Sequence, residues 1–172
     1  MHHRSPCMAV APALRPSASP DTFPGMEIPP VPPSDTFRFR ARRRTRWVDE
    51  DNQQVVNNAV FMTLLEEARH EYFGGLGLLE ENQFPFVLMQ TNIRFLSPGR
   101  GGAKLEIELA TTSLGSSSFQ QVSRIREVES GTVLVEAQAL LVAWCNRTRR
   151  KAQLAPAFCE AVSAFEGLDW KG

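Results

Sequence analysis

Three consecutive acids, Asp49, Glu50 and Asp51, stand shortly before a segment with the pattern of an amphipathic helix. A carboxylate near a helix N-terminus is stabilised in its charged form by the helix dipole and by unpaired backbone N–H groups. An ionised Asp at such a junction can act as a nucleophile or a general base. The same N–H groups can hold the oxygen of a polarised carbonyl. On spacing alone, acids that only cap and solvate the helix are the simpler interpretation.

The helix that positions these acids is predicted to begin at Asn57 or Asn58 and to end at the Gly74-Gly75 pair. Asn is a good N-cap because its side-chain oxygen accepts a hydrogen bond from a first-turn N–H, and Gly favours a helix end. Apolar side chains recur along one helical face, at Phe61, Leu64, Leu65, Ala68 and Tyr72. The opposite face carries Thr63, Glu66, Glu67 and His70.

Alternation of apolar and polar side chains predicts five strands around this helix. They cover residues 37–47, 87–97, 104–112, 119–128 and 132–144. The last of them is apolar on nearly both faces, which predicts a central place in the sheet. One strand, a long helix, four strands in hairpin succession and a short helix from Pro156 together indicate an α+β fold with an antiparallel sheet.

Composition favours one globular domain, since 172 residues with 42% hydrophobic content bury a single core without disulfides or metal. A formal net charge of zero gives no overall attraction to nucleic acid or to membranes. The cysteines, Cys7, Cys145 and Cys159, are widely spaced and support neither a zinc site nor a disulfide framework. No apolar run approaches the roughly 20 residues that a membrane-spanning helix needs.

The first 34 residues are rich in Pro, Ala and Ser and show no periodicity. They are predicted to form a disordered tail ahead of a folded domain at residues 35–172. Their arginines and serines, with Asp21 as the first acid, are also compatible with an organelle transit peptide. An uncleaved flexible tail explains the pattern equally well.

Arginines alternate with apolar residues along the first predicted strand, at Arg38, Arg40, Arg42, Arg44 and Arg46. Burying unpaired cations is costly, so this face is expected to meet water or an anionic partner. A solvated face is the simpler interpretation. Nucleic acid is disfavoured because the chain lacks the interleaved aromatic side chains of single-strand binders.

The segment from Asp49 to Phe73 resembles the signature of hotdog-fold acyl thioesterases of the 4-hydroxybenzoyl-CoA thioesterase type. It is most similar to plant acyl-lipid thioesterases related to methylketone synthase. The shared pieces are Val-Val-Asn-Asn-Ala-Val at residues 55–60, Arg-His-Glu at 69–71 and Phe-Leu-Ser-Pro at 95–98. The resemblance extends from about Phe37 to about Val162, and it implies a single hotdog domain in which five or six strands wrap one long helix.

By this resemblance the catalytic carboxylate falls on Asp51 and the carbonyl-polarising backbone N–H on Asn58. Many relatives have Gly three residues after the catalytic Asp, whereas this chain has Gln54, which resists the backbone conformations that Gly permits. Relatives that use His in this loop have it where this chain has Val55. A second hotdog subgroup uses a carboxylate on the helix, which makes Glu66 the second-choice catalyst.

The resemblance also suggests residues that bind the substrate. The helix start and an apolar slot beside it are expected to hold the acyl group, through Asn57, Phe61, Leu65 and Phe95. Basic residues near the sheet ends contact nucleotide phosphates in many hotdog thioesterases, and the candidates here are Arg100, Arg147, Arg149 and Arg150.

The implied reaction is hydrolysis of a fatty acyl thioester of coenzyme A or acyl carrier protein, with 3-ketoacyl chains included, and with no metal or other cofactor. Relatives are homodimers or homotetramers with active sites between subunits, and nucleic acid and a membrane span are not expected. Similarity to plastid relatives favours a plastid location, with the cytoplasm as the alternative. A non-catalytic acyl-binding or regulatory protein is the rival function, motivated by Gln54. A basic interaction module and a dehydratase are further alternatives.

Overall fold

The structure of the protein, a computed structural model, describes residues 31–170. Residues 1–30, which carry most of the predicted tail and the transit-peptide interpretation, lie outside the described residues. The tail, its boundary at residue 34 and the plastid location therefore stay predictions. In the described part of the chain, no helix is long and apolar enough to cross a membrane.

Six strands and two helices make up the described part of the domain. In chain order they are β1 (Phe39–Arg44), α1 (Asn58–Gly75), β2 (Phe86–Phe95), β3 (Lys104–Leu114), β4 (Ser118–Glu127), β5 (Val133–Cys145), β6 (Arg150–Lys151) and α2 (Pro156–Glu166). Short 3-10 turns precede β1 at Ser34–Thr36 and follow it at Trp47–Asp49. The predicted α+β class, the helix bounds and the strand count are confirmed.

All the strands are antiparallel, and the sheet has the order β1-β3-β4-β5-β2, with β6 paired to the end of β5. The central place predicted for β5 is confirmed. The expected hairpin succession is correct for β3-β4-β5 but wrong for β2 and β3. The chain leaves β2 at one edge and crosses to a place beside β1 before β3 begins. Both β1 and β2 are therefore edge strands.

The curved sheet packs one face on α1, whose buried side is the one predicted. Phe61, Leu65 and Ala68 join Ala41, Ile107 and other strand residues in one core cluster, and a second cluster surrounds Tyr72 and Phe73 at the far end of the helix. Buried apolar area of this kind is the main favourable term in folding. The arrangement of sheet and helix is the hotdog fold.

The second helix is tied to this core by a polar contact. The Tyr72 hydroxyl donates to Oε1 of Glu166 at 2.7 Å, and the backbone N–H of Thr111 donates to the same oxygen at 2.9 Å. Burial raises the pKa of Glu166 and that of Tyr72 above their usual ranges. The end of α2 is therefore fixed against both α1 and the sheet.

The first strand is shorter than its sequence pattern predicts, with two consequences. Phe37 lies before the strand and packs on the outer face of the sheet, away from α1, against Val31, Ala110 and Val122. Trp47 lies after it, in the 3-10 turn, and is 80% exposed.

One arginine of this face of β1, Arg40, meets acids of its own sheet. Across the outer face, one laterally paired residue from each of the five main strands forms a row of alternating charge: Arg40, Glu108, Arg124, Glu136 and Arg94. Ion pairs join each neighbouring pair in this row. Glu108 is fully buried, because the Ser34 hydroxyl also covers it. The anionic partner expected for Arg40 is thus supplied within the chain.

The connection from β2 to β3 passes against the start of α1. A Cβ built on Gly99 would lie 2.9 Å from Cζ of Phe61 and 3.2 Å from Cγ2 of Val56. The carbonyl of Gly99 accepts a hydrogen bond from the Val56 N–H at 2.9 Å. Only glycine fits this close approach, so the crossing segment and the helix start form one packed unit.

We expect Gly99→Ala to lower the free energy of unfolding by about 1–3 kcal/mol, because the added methyl group forces Phe61 or Val56 from its packed position. Urea denaturation followed by fluorescence measures the change. Gly75→Ala is the matched control: its Cβ meets nothing within 4 Å, and the substitution should be neutral or stabilising. Equal stability of the two variants would contradict the packing role of Gly99.

Candidate active site

The acidic segment folds into a tight turn just ahead of α1. The N–H of Asp51 donates to the carbonyl of Val55 at 2.9 Å, and the N–H of Asn57 donates to the carbonyl of Asp49 at 2.9 Å. These two bonds flank an antiparallel bridge between Glu50 and Val56. The three acids are therefore held opposite the residues that lead directly into the helix.

Gln54 occupies the place where many relatives have Gly, and its φ is 61°. This is the left-handed region, which a non-glycine residue enters at a cost of about 1–2 kcal/mol. The surrounding hydrogen bonds, including the Gln54 N–H to the Asp51 carbonyl at 3.0 Å, hold it there. The turn thus keeps a glycine-like backbone conformation despite the substitution.

Two of the three acids are engaged in structural contacts. Asp49 is buried, and its carboxylate accepts hydrogen bonds from the backbone N–H and the guanidinium of Arg46 at 2.6–3.1 Å. The Arg46 hydrogen bond holds the pKa of Asp49 below its usual range. Glu50 accepts the N–H of Gly101 at 2.7 Å, which ties the turn to the crossing segment.

Asp51 is the acid whose carboxylate makes only a local contact. Its Oδ1 accepts a hydrogen bond from the Gln53 N–H at 2.8 Å, which fixes the side chain in a local turn. Its Oδ2 has no hydrogen-bond donor among residues 31–170, and the residue is partly exposed. A fixed carboxylate with one free oxygen is suited to attack a carbonyl or to take a proton from water.

The start of α1 leaves one backbone donor free. Asn57 is the N-cap, and its Oδ1 accepts the N–H of Ala59 at 2.9 Å, while its carbonyl accepts the N–H of Val60 at 2.9 Å. The N–H of Asn58 donates to no acceptor within the described part of the chain. An unpaired N–H at the positive end of a helix is suited to bind developing negative charge. Asn57 thus serves as the cap, and its predicted contact with substrate stays a prediction.

An apolar surface runs from this point along α1 towards β2. The rings of Phe61 and Phe95 lie 6.1 Å apart, with Phe61 buried and Phe95 40% exposed. Further along, Leu65 lines a cavity of about 120 Å³ between the helix and the sheet. The three apolar residues predicted to hold an acyl chain therefore lie along one side of the helix.

Glu66 lines the same cavity, on the exposed side of α1. It follows Asn58 by eight residues, which corresponds to roughly 12 Å along the helix axis. The two candidate carboxylates thus belong to different places, one at the helix start and one beside the cavity.

The predicted basic contacts divide between the two ends of the sheet. Arg100 is exposed in the crossing segment, next to the turn that holds Asp51. Arg147 and Arg149 lie in the turn between β5 and β6, and Arg150 lies in β6 itself. That turn is at the end of the sheet where α1 finishes, so within one chain these three residues are remote from Asp51.

Sequence analysis missed one polar residue of this region. Arg69 lies on the buried face of α1, only 7% exposed, and lines the cavity with Leu65 and Glu66. Its place could have been read from the helical period, since it follows Leu65 by four residues and precedes Tyr72 by three. The hydrogen bonds between Glu50 and Gly101 and between Val56 and Gly99 join segments far apart in sequence, so they left no local signal in the sequence.

A profile of the thioesterase superfamily matches residues 53–134, beginning two residues after Asp51. The acyl-CoA thioester hydrolase YbgC of Escherichia coli O6:H1 is 31% identical over 113 residues, which cover 63% of this chain and 83% of that relative. These matches cover the helix start, α1 and most of the sheet.

Solved structures agree with the fold. A thioesterase of Thermus thermophilus, crystallised with coenzyme A and Zn, is 30% identical, with a TM-score of 0.69 over 78% of this chain and 98% of that chain. The 12:0-ACP thioesterase of Umbellularia californica is 18% identical, with a TM-score of 0.64 over 76% of this chain and 54% of that chain, and shows the fold alone.

The predicted hotdog fold and the predicted thioester hydrolase are thereby confirmed at the level of the family. The assignment to the 4-hydroxybenzoyl-CoA thioesterase type and the special similarity to plant acyl-lipid thioesterases stay predictions. With a curated relative that is 31% identical and covered over 83% of its length, and with a fold shared over nearly the whole of a solved thioesterase, the chain belongs to the thioesterase superfamily.

Proposed function

We propose that this protein hydrolyses fatty acyl thioesters of coenzyme A, with acyl carrier protein as a second carrier to be tested, through Asp51 and the backbone N–H of Asn58. The observation that carries the proposal is that the Asp51 carboxylate and the Asn58 N–H belong to the same junction between the acidic turn and α1. Asp51, whose carboxylate makes only a local contact and has a free oxygen, precedes the one helix-start N–H that has no acceptor in the described chain. The glycine-like φ of Gln54 supports a working turn rather than a non-catalytic binding protein.

Two routes are compatible with this arrangement. Asp51 takes a proton from a water molecule, whose oxygen attacks the thioester carbonyl, or Asp51 attacks directly and water then hydrolyses the acyl-enzyme anhydride. In both routes the carbonyl oxygen gains negative charge beside the Asn58 N–H. The C–S bond breaks, the thiol leaves with a proton, and the free acid remains. No step requires an oxidant or reductant. The 3-ketoacyl refinement stays a prediction.

Asp51→Asn should lower kcat by about 10²–10⁴-fold with little change in KM, because the amide can neither attack nor accept the proton. Free thiol released from a panel of acyl-CoA and acyl carrier protein thioesters measures the loss and identifies the carrier. Glu66→Gln is the matched control and should retain most of the activity. Full activity of Asp51→Asn, with loss in Glu66→Gln, would transfer the catalytic role to the helix carboxylate.

Asn58→Pro tests the oxyanion donor directly, because it deletes the backbone N–H together with the side chain, whereas Asn58→Ala deletes the side chain alone. Proline is well tolerated at the first helical position, and the ψ of 135° at Asn57 suits a residue before proline. We expect kcat to fall by about 10²–10³-fold with the fold intact. Asn58→Ala, which keeps the N–H, should remain close to the unchanged protein. Similar kinetics for the two variants would exclude the N–H from catalysis.

We also propose a homodimer in which β2 pairs with β2 of a second copy. This edge is ten residues long and exposes Val87, Leu88, Met89 and Phe95 to solvent. The other edge, β1, is only six residues long and carries exposed arginines, which discourage strand addition. A largely apolar edge, whose one charged residue Arg94 is paired with Glu136 of its own sheet, is the one that a second strand extends.

Such a dimer explains the remote arginines. In an antiparallel pairing, the start of one β2 lies beside the end of the other. The partner's β5–β6 turn, with Arg147 and Arg149, then approaches the end of the sheet where Asp51 lies. Arginine side chains bind phosphates through paired N–H groups, so coenzyme A phosphates are suitable ligands there.

Met89→Lys should convert the dimer to a monomer, because a charged side chain in the middle of the edge opposes strand addition. Sedimentation equilibrium gives the mass. Val128→Lys adds the same charge to an exposed apolar residue beyond the end of β4 and should leave the mass unchanged. An unaltered dimer in Met89→Lys, or a monomeric unchanged protein, would exclude this interface.

A further inference from the structure

Arg69 is a buried cation that the proposed mechanism does not use. It lies in the middle of α1 with 7% of its surface exposed, and burial lowers the pKa of its guanidinium. Buried arginines in proteins are normally paired with a carboxylate, because desolvating an unpaired charge is costly. Arg69 forms no ion pair with any carboxylate of residues 31–170. The carboxylate of Glu66, three residues earlier on α1, acts on it electrostatically without forming an ion pair, so Arg69 lacks a carboxylate partner.

One nitrogen of the guanidinium is held in place by the core. Nε donates to Oε1 of Gln121 at 3.0 Å, and Nε2 of Gln121 donates to Oγ1 of Thr111 at 3.2 Å. Gln121 is fully buried, so this chain of hydrogen bonds fixes the arginine plane. The two Nη nitrogens donate to no acceptor in the described residues. Because Arg69 lines the cavity, its two unused Nη donors are available to a ligand that enters it.

The cavity that Arg69 lines has both apolar and polar walls. Its apolar lining residues are Met62, Leu65, Leu88, Ala137 and Ala139, and its polar ones, besides Arg69, are Thr63, Glu66, Thr91 and Ser123. Its volume of about 120 Å³ corresponds to roughly four waters of liquid. A cavity with apolar walls and a fixed cation in its lining matches a ligand that is hydrocarbon for most of its length and carries one oxygen.

We infer that Arg69 determines substrate specificity by donating hydrogen bonds to an oxygen on the distal part of the acyl group, so that the preferred substrates are oxygenated acyl thioesters. This inference rests on the proposed thioesterase function and names its substrate class. The oxygen belongs to a hydroxyl, keto or carboxyl group, each of which accepts from a guanidinium. Plain fatty acyl chains leave the guanidinium without an acceptor.

The distance along α1 between Asn58 and Arg69 indicates where on the acyl chain the oxygen lies. Arg69 follows Asn58 by 11 residues, roughly 16 Å along the axis, a distance that the backward tilt of helical side chains shortens. An oxygen at the 3-position of the acyl chain lies only about 4 Å from the thioester carbon, since the bonds between them are near 1.5 Å. An acyl carbonyl held at Asn58 therefore brings a distal oxygen, and not a 3-oxygen, to Arg69.

Binding of non-hydrolysable thioethers tests this without any turnover. The probes are S-octyl-, S-decyl- and S-dodecyl-CoA, each compared with its ω-hydroxy and 3-hydroxy derivative by isothermal titration calorimetry. The proteins are the unchanged chain, Arg69→Met and Arg69→Lys, with Arg42→Met as a matched control on the exposed strand face. Arg69→Gln, which keeps a polar group beside Gln121, replaces Arg69→Met if thermal melting shows that the latter is unfolded.

We expect at least one ω-hydroxy probe to bind the unchanged protein about 10- to 100-fold more tightly than its plain counterpart. Arg69→Met should remove that preference while binding the plain probe with little change, Arg69→Lys should keep part of it, and Arg42→Met all of it. Equal binding of plain and ω-hydroxy probes, or a preference only for 3-hydroxy probes, would overturn this inference and leave the proposed thioesterase function untouched.

Two further results count against it. If Arg69→Met becomes monomeric and its probe selectivity is unaltered, the missing acceptor is a carboxylate of the partner subunit and not the substrate. If no probe binds at all and no thioester is hydrolysed, the proposed function fails as well.

Discussion

The crossing segment between β2 and β3 holds the acidic turn against the start of α1, and the rest of the structure depends on these contacts. Val56 donates to the carbonyl of Gly99, and Glu50 accepts the N–H of Gly101, so both sides of the turn are fastened to the same few residues. Without these contacts the turn would be an exposed loop whose only support is local. With them, a carboxylate and a helix terminus keep a fixed relation, which is what catalysis by positioned charge requires.

The hydrogen bonds within the turn explain why Gln54 keeps a strained backbone conformation. A non-glycine residue at positive φ is retained when its surroundings determine the backbone more strongly than its own preference. Here the bonds between Asp51 and Val55, and between Asp49 and Asn57, close the turn from both sides. The family glycine is therefore replaceable without loss of the turn, at a cost in stability that these hydrogen bonds offset.

Much of the fold was predictable because its signals are local. The bounds of α1 follow from the Asn N-cap and the glycine pair, and the strands follow from alternation along the chain. The proposed site could be read from the sequence only because one short segment carries it, from Asp51 in the turn to Asn58 at the start of α1. The β2–β3 connection was not, since a strong turn sequence at Ser97 to Gly102 is equally suited to a hairpin and to a crossing segment. Arg69 was noted only as part of the Arg-His-Glu motif, and its place on the apolar helical face was not used.

The row of paired charges on the outer face bears on how the sheet assembles. Along it, β1, β4 and β2 present arginines, whereas β3 and β5 present glutamates. The native order β1-β3-β4-β5-β2 is therefore an order of strictly alternating sign. Any misassembly that sets β1 beside β4, or β3 beside β5, brings like charges face to face, which is destabilising in cross-strand pairs. The charges on the outer face thus disfavour some of the strand orders that the apolar face alone would permit.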